Sequence, residues 1–119
     1  APDTDFVARL TDVYPDGRSL NITEGVIRAR FRKGLYGAPE LLEPGCACEF
    51  DIDLGATCNV FRRGHRMRLQ ITSSNFPLWD PNPNTGGDLA TETRSQPAQQ
   101  TVFHDRLRPS HVILPVIPR

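Results

Sequence analysis

The sequence lacks any apolar run approaching the ~20 residues of a membrane-spanning helix. It also lacks a basic stretch followed by an apolar one at its N-terminus, so no signal peptide is visible, which slightly favours a cytoplasmic location. Neither charge sign is in excess, because 14 acidic residues balance 14 basic ones. We therefore expect no nucleic acid and no membrane among the partners. A chain of 119 residues suffices for a single domain, 1–119, with its own core.

Catalytic motifs are missing as well. The nucleophile-elbow pattern G-x-S-x-G does not occur, and the serines fall in predicted turns or strand ends. Three histidines are present (His65, His104 and His111), but a catalytic histidine needs a nucleophile and an orienting acid beside it. The Gly86-Gly87 pair has neither the spacing nor the lysine of a phosphate-binding loop. We predict that this chain alone is inactive and needs no cofactor.

Cysteine is scarce, and its number is odd: Cys46, Cys48 and Cys58. A structural zinc site requires four ligands, and the nearest candidate for the fourth is His65. The favoured interpretation is that the three cysteines are small, half-buried apolar side chains in adjacent strands. A Cys48–Cys58 bridge across a hairpin stays open as an alternative.

What the chain does have is alternation of apolar and polar residues, the pattern of a strand with one buried face. In the segment 26–32, for example, Ile27, Ala29 and Phe31 alternate with arginines. Strands are predicted over 6–12, 26–32, 49–54, 67–72, 101–104 and 111–114, with a turn at 14–17. Short strands without a convincing helix predict an all-β fold, an antiparallel β-sandwich.

Two of the predicted strands carry rows of like charge on their polar faces. The basic row is Arg28, Arg30 and Arg32, and the acidic row is Glu49, Asp51 and Asp53. If the two strands are neighbours, the rows neutralise each other across the strands, at about 0.2–1 kcal/mol per pair. The alternative is a basic docking face for an acidic partner. The neutral net charge favours the internal pairing.

The segment 73–88 is rich in Asp, Asn, Pro and Gly. Its oxygen-bearing side chains (Asp80, Asn82, Asn84 and Asp88) resemble a cation-binding ladder, and the first three match the opening of an EF-hand loop. The match then fails, because Thr85 stands where the loop needs Gly. We expect an ordered crossover in which the asparagines hold the loop backbone through Asx turns.

Four segments, 3–17, 19–32, 64–86 and 108–118, resemble a known family in the same order. They are similar to the C-terminal β-sandwich of the serine hydrolases that include cocaine esterase, X-Pro dipeptidyl-peptidase, α-amino-acid ester hydrolase and glutaryl acylases. The block containing GHR, SSNFP and NPNTG is the most specific part. The sequence departs from the family pattern at Trp79, at Pro81 and in the region 38–60.

The resemblance implies a galactose-binding-like jelly roll that is a non-catalytic partner of an α/β-hydrolase domain bearing a Ser-Asp-His triad. The parent enzyme would cleave peptide, amide or ester bonds through an acyl-enzyme. No triad residue maps onto this sequence. The resemblance also implies that the domain lacks its first strands here, so we expect open strand edges that pair with another copy or belong to a longer protein.

The resemblance also implies a set of structural-loop and interdomain residues: His65, Arg66, Asn75, Phe76, Trp79, Asn82 and Asn84. In this hypothesis Phe76 and Trp79 anchor the crossover, while Asn82 and Asn84 tie its backbone together. His65 and Arg66 form buried or half-buried hydrogen bonds at the start of a strand. The alternative function is a carbohydrate- or ligand-binding module that uses exposed aromatic side chains such as Trp79, Phe76 and Tyr36.

Overall fold

The computed structural model describes residues 1–118. Its regular structure is an antiparallel sheet of three strands: β1 (Asp5–Val13), β2 (Ser19–Arg28) and β3 (Arg66–Thr72). The strand order is β2-β1-β3, and one 3-10 turn, Ala29–Phe31, follows β2. The prediction of an all-β, antiparallel fold is confirmed, while the jelly-roll connection remains a prediction. No helix within residues 1–118 combines the length and the apolar character that crossing a membrane requires.

Strands β1 and β2 form a hairpin whose tight turn occupies the predicted residues 14–17. The backbone N–H of Gly17 donates to the carbonyl of Tyr14 at 3.0 Å, and Gly17 adopts a φ of 90°. Glycine reaches this left-handed conformation without steric cost. The pairing register shifts between Leu10 and Thr11, where β2 carries one extra residue.

The core is centred on β1, because this strand has a neighbour on each side. Val7 and Val13 are 1% exposed and lie on one face of the sheet, and Leu10, 2% exposed, lies on the other. Strand β3 pairs with β1 so that Leu10 faces Leu69 and Ala8 faces Ile71. Every residue of β3 is nevertheless exposed, so this edge strand is covered on neither face within the described chain.

An irregular segment covers the β2 side of one face. The rings of Phe6 and Phe50 lie 4.7 Å apart, and the hydroxyl of Thr23 donates to the carbonyl of Leu54. A Cβ atom built on Gly25 would overlap the carbonyl of Asp53, so the backbones of β2 and of this segment are in close contact at this point. Segment 49–54 therefore lies beside the sheet, but it forms no strand, and the prediction of a strand there is wrong.

The second predicted strand, 26–32, is also wrong in its bounds, since β2 runs from Ser19 to Arg28. The N–H of Ala29 still donates to the carbonyl of Thr4 at 2.9 Å, in register with the β1–β2 pairing, and the chain then turns as the N–H of Arg32 donates to the carbonyl of Ala29 at 3.2 Å. The side chain of Arg30 points inward, to Asp3. The predicted strands 101–104 and 111–114 do not form either. The only pairing there, within residues 1–118, is an isolated bridge between His104 and Pro109.

Candidate functional site

A buried cluster of charged and amide side chains joins the start of β1 to the end of β2 and to the 73–88 loop. We call it the polar clasp, and its members are Asp3, Asp5, Arg28, Arg30 and Asn82. The sequence places two carboxylates at the entry to β1 and two arginines at the exit of its antiparallel neighbour, so the hairpin geometry brings the four together. Asp3 is 0% exposed and Asn82 is 8% exposed.

The first ion pair of the clasp is deeply buried. The Nε atom of Arg30 donates to Oδ2 of Asp3 at 2.7 Å, and the backbone N–H of Arg30 donates to Oδ1 at 3.0 Å. The Nη1 atom of Arg30 also donates to the carbonyl of Gly87 at 2.9 Å. Because both partners have left water, each needs the other: removing one charge leaves the second buried and unpaired.

The second ion pair is bidentate. Arg28 donates from Nε and Nη2 to the two carboxylate oxygens of Asp5, both at 2.9 Å. This hydrogen bonding raises the pKa of Arg28, and the negative charges of Asp5, Asp3 and Asp80 act in the same direction. Arg28 also donates to the carbonyl of Asp80 at 3.2 Å, which ties the end of β2 to the loop.

Asn82 links the two ion pairs. Its Nδ2 atom donates to Oδ2 of Asp3 at 2.9 Å and to Oδ1 of Asp5 at 2.8 Å. Its Oδ1 atom accepts the backbone N–H of Asn84 at 2.9 Å, and Asn84 adopts a φ of 64°. Asn84 and Gln96 then exchange side-chain-to-carbonyl hydrogen bonds of 2.8 Å each. The clasp thus fixes the loop backbone through asparagine side chains.

This geometry does not support the cation-binding interpretation of the loop. The amide of Asn82 turns its donor nitrogen towards the carboxylates, where a cation site would need an oxygen. No group of three or more metal-ligating side chains lies together anywhere in residues 1–118. The cysteines (Cys46, Cys48 and Cys58) are free and exposed, so both the half-buried interpretation and the Cys48–Cys58 bridge are wrong.

The predicted pairing of charge rows is wrong too. Each arginine of the basic row has a different partner: Arg28 binds Asp5, Arg30 binds Asp3, and Arg32 binds Glu40 at 2.8 Å. Arg28 and Arg30 lie together in the clasp, where Asn82 contacts both of their aspartates, whereas Arg32 lies beyond the end of β2 and outside the clasp. Within residues 1–118 the acidic row at 49–53 forms no ion pair, and its carboxylates are exposed.

His65 lies at the foot of β3 and is hydrogen-bonded to the end of β1. Its Nδ1 atom is 3.0 Å from both carboxylate oxygens of Asp12, and its ring lies 4.3 Å from that of Tyr14. The side chains of His65 and Asp12 are 9% and 5% exposed. An aspartate holding a histidine is two thirds of a hydrolytic triad, but no serine of residues 1–118 is hydrogen-bonded to this ring.

The remaining predicted site residues lie in different surroundings. Asn75 accepts a hydrogen bond of 2.7 Å from Arg9, which also pairs with Glu24 at 2.7 Å. That hydrogen bond from Arg9 lowers the pKa of Glu24. Arg66 is exposed and meets β1 only through backbone pairing. Phe76 is 66% exposed and therefore does not anchor the loop within this chain.

Trp79 is half-buried and lines an open groove of about 420 Å³ beside the clasp. The groove residues are Asp5, Val26, Arg28, Phe31, Leu35, Trp79 and Asp80. Sequence reasoning located Trp79 and the asparagines but missed Asp3, Asp5 and Arg30. A signal was available in the sequence. Asp3 and Asp5 stand at the start of the first apolar strand, and an antiparallel hairpin brings the end of the second strand, with its arginines, beside them.

The fold and the clasp define a class: an antiparallel β domain whose buried charges are paired with one another. A family model described as the X-Pro dipeptidyl-peptidase C-terminal non-catalytic domain matches residues 1–113. The chain belongs to that family.

Curated relatives agree with this family. The chain is 46% identical over 121 residues to cocaine esterase of Rhodococcus sp. (strain MB1 Bresler), an alignment that covers 100% of the chain and 21% of that protein. It is 28% identical over 131 residues to putative serine esterases of Mycobacterium bovis and Mycobacterium tuberculosis, covering 97% of the chain and 19% of each. The chain therefore spans about a fifth of the length of these relatives.

Proposed function

We propose that this chain is the auxiliary part of a serine hydrolase that cleaves peptide, amide or ester bonds through an acyl-enzyme. In this proposal it braces an α/β-hydrolase domain of the same polypeptide, which carries the catalytic triad. The observation that carries the proposal is the match of residues 1–113 to a non-catalytic domain family, together with the likeness to an esterase along the whole chain. The polar clasp supports the proposal, because its charged groups are hydrogen-bonded to one another, as expected of a structural cluster.

The exposed edge strand supports a bracing role. One face of β3 presents Met67, Leu69 and Ile71, which are 59%, 38% and 36% exposed. An apolar row beside an unpaired strand edge is a common protein-interaction surface and is costly to leave in water. We propose that the catalytic part of the parent covers this face, and that a second copy binds the open edge if the parent is a homodimer.

The proposal is tested on the full-length protein encoded by the gene. We expect the polypeptide outside this chain to contain G-x-S-x-G followed by an aspartate and a histidine. The variant Leu69→Lys should lower the temperature at which ester hydrolysis is lost, with little change in KM at lower temperature. Glu49→Lys is the control, because Glu49 is exposed and lies in the segment that packs beside β2, away from the apolar row of β3. Hydrolysis by the purified 119-residue chain, abolished by replacing one serine, would refute the proposal.

The alternative, a carbohydrate-binding module, predicts a saturable response of Trp79 fluorescence to sugars. We expect no such response, because the polar groups of the groove floor are occupied. Asp5 and Arg28 satisfy each other, and Asn82 caps Asp5. The carboxylate of Asp80 is left without an ion pair within residues 1–118, but it offers a sugar hydroxyl acceptors only and no donor. A glycan array and a fluorescence titration of the purified chain distinguish the two functions.

A further inference from the structure

Two of the 13 arginines lie between an aromatic ring and an aspartate that is close in sequence. Arg18 lies over the ring of Tyr14 at 5.0 Å and binds Asp16 at 2.7 Å. Arg108 lies over the ring of Phe103 at 3.7 Å and binds Asp105 at 3.0 Å. In both cases the guanidinium gains the attraction of the ring face together with an ion pair.

A third aromatic–aspartate pair lines the groove next to the polar clasp. Trp79 and Asp80 are neighbours in the chain and both face this groove. Within residues 1–118 the carboxylate of Asp80 forms no ion pair, and no arginine or lysine lies over the ring of Trp79. Arg28, the arginine of the groove, donates to the backbone carbonyl of Asp80, but both carboxylate oxygens that it binds belong to Asp5. The third pair therefore lacks a cation that stacks on its ring and binds its carboxylate, as the first two have.

The charge of the groove also favours a cation as its ligand. Asp5 and Arg28 cancel each other, so the charge that remains is that of Asp80. The walls are apolar: Val26, Phe31 and Trp79, with Leu35 at the rim, 75% exposed. A volume of about 420 Å³ is in the range of small-ligand sites, which combine apolar walls with a few polar groups. A bare metal ion would gain nothing from these walls, and an anion would meet the carboxylate.

We propose that this groove binds an arginine side chain of a partner polypeptide, with the guanidinium between Trp79 and Asp80 and the aliphatic stem against Phe31 and Leu35. Tryptophan offers the strongest aromatic face for a cation, and the planar guanidinium can stack on the ring while it pairs with the carboxylate. This inference is independent of the serine-hydrolase proposal, because the groove and its charge lie entirely within this chain.

The test uses Trp79 as its own reporter, since it is the only tryptophan of the chain. The purified chain is titrated at low ionic strength with the peptide acetyl-Gly-Arg-Gly-amide and, separately, with the same peptide carrying citrulline. Citrulline keeps the shape of the side chain and removes its charge. We expect a saturable change in Trp79 emission with the arginine peptide, at a Kd of about a millimolar, and no saturable change with the citrulline peptide.

Two variants make the test specific. Asp80→Asn should weaken arginine-peptide binding about three- to five-fold, because it removes one partly exposed ion pair and keeps the shape. Asp51→Asn is the control: it makes the same charge change at an exposed aspartate outside the groove and should leave the affinity unchanged. Unaltered far-UV circular dichroism shows that each variant is folded. Equal responses to the two peptides, no saturable response, or full binding by Asp80→Asn would overturn the inference.

Discussion

Strands β1 and β3 are hydrogen-bonded neighbours with the same kind of alternating sequence, yet their surroundings are opposite. In β1 all but two of the residues are buried, whereas in β3 all seven are exposed. The two leucines Leu10 and Leu69 face each other in the register, at 2% and 38% exposure. Alternation therefore predicts that a strand forms, while burial depends on what covers it.

The difference comes from segments that carry no regular structure. Segment 49–54 packs beside β2, and the 73–88 loop is held at the start of β1 by the polar clasp. Neither one buries the residues of β3, so the buried half of the molecule is β1 with its clasp and the exposed half is β3. Stability should accordingly depend on the first half, and association on the second.

The largest effect is expected from Asp3→Ala. The substitution leaves the charge of Arg30 buried without its partner and removes an acceptor from Asn82, so we expect a loss of about 3–5 kcal/mol in the free energy of unfolding. Urea denaturation followed by circular dichroism measures this. Asp16→Ala breaks a comparable but exposed pair with Arg18 and should change stability little. Similar losses in both variants would mean that the clasp is not buried.

The next effect compares the facing leucines directly. Leu10→Ala opens a cavity in the core and should cost about 2–5 kcal/mol. Leu69→Ala, its partner in the register, should cost about 1 kcal/mol or less in the isolated chain, because its side chain is only partly buried. Thermal or urea unfolding of the two variants decides the matter. If Leu69→Ala is as damaging as Leu10→Ala, something covers β3 in solution.

A smaller effect separates the two asparagines of the loop. Asn82→Ala removes two buried hydrogen bonds to carboxylates and should cost about 1–3 kcal/mol. Asn84→Ala should cost about 1–2 kcal/mol, partly because alanine tolerates its φ of 64° poorly. Asn84→Gly removes the same side chain, but glycine adopts this φ without steric cost. Its loss of stability therefore measures the side-chain hydrogen bond from Asn84 to Gln96 alone. An unchanged melting temperature for Asn82→Ala would contradict the role given to the clasp.

The smallest effect is a dependence on pH. Because Arg9 lowers the pKa of Glu24 below 4.5, this pair stabilises the fold fully above pH 4.5 and loses its contribution as the pH falls through the lower, folded-state pKa. Glu24→Gln should be less stable at neutral pH by about 0.2–1 kcal/mol. The difference in stability between Glu24→Gln and the unmodified chain should disappear in acid, below the folded-state pKa of Glu24. Urea denaturation of both proteins at neutral and at acidic pH measures this difference. If it is the same at both pH values, the loss does not come from the Arg9–Glu24 pair.

The sequence predicted the fold class, the β1–β2 turn and the positions of β1 and β3 well. These features depend on local signals: alternation, a turn with Asp and Gly, and a loop rich in Asn and Pro. It failed at 49–54, 101–104 and 111–114, where alternation is present but a pairing strand is not. A strand requires a neighbour with free donors and acceptors, and that information lies in the rest of the fold.

The candidate site was predicted only in part, for a related reason. Asn82 and Asn84 were identified from the loop pattern, but Arg28 and Arg30 were assigned to a solvent-facing row. Both arginines instead lie beside aspartates in the buried clasp, Arg28 on Asp5 and Arg30 on Asp3, just where β2 gives way to a 3-10 turn. The carboxylate that buries Arg30 belongs to Asp3, a residue distant in sequence, so local patterning does not reveal it.

The contact between Gly25 and the carbonyl of Asp53 limits how this sequence can drift. Even a methyl group at position 25 would displace the backbone at Asp53, so the approach depends on a missing side chain as well as on the contacts of Phe50 with Phe6 and of Leu54 with Thr23. We expect insertions and deletions to be tolerated better in 43–49 and 55–60 than within 50–54. The least regular stretch of the protein is therefore one in which length can vary on either side of a short segment whose position cannot.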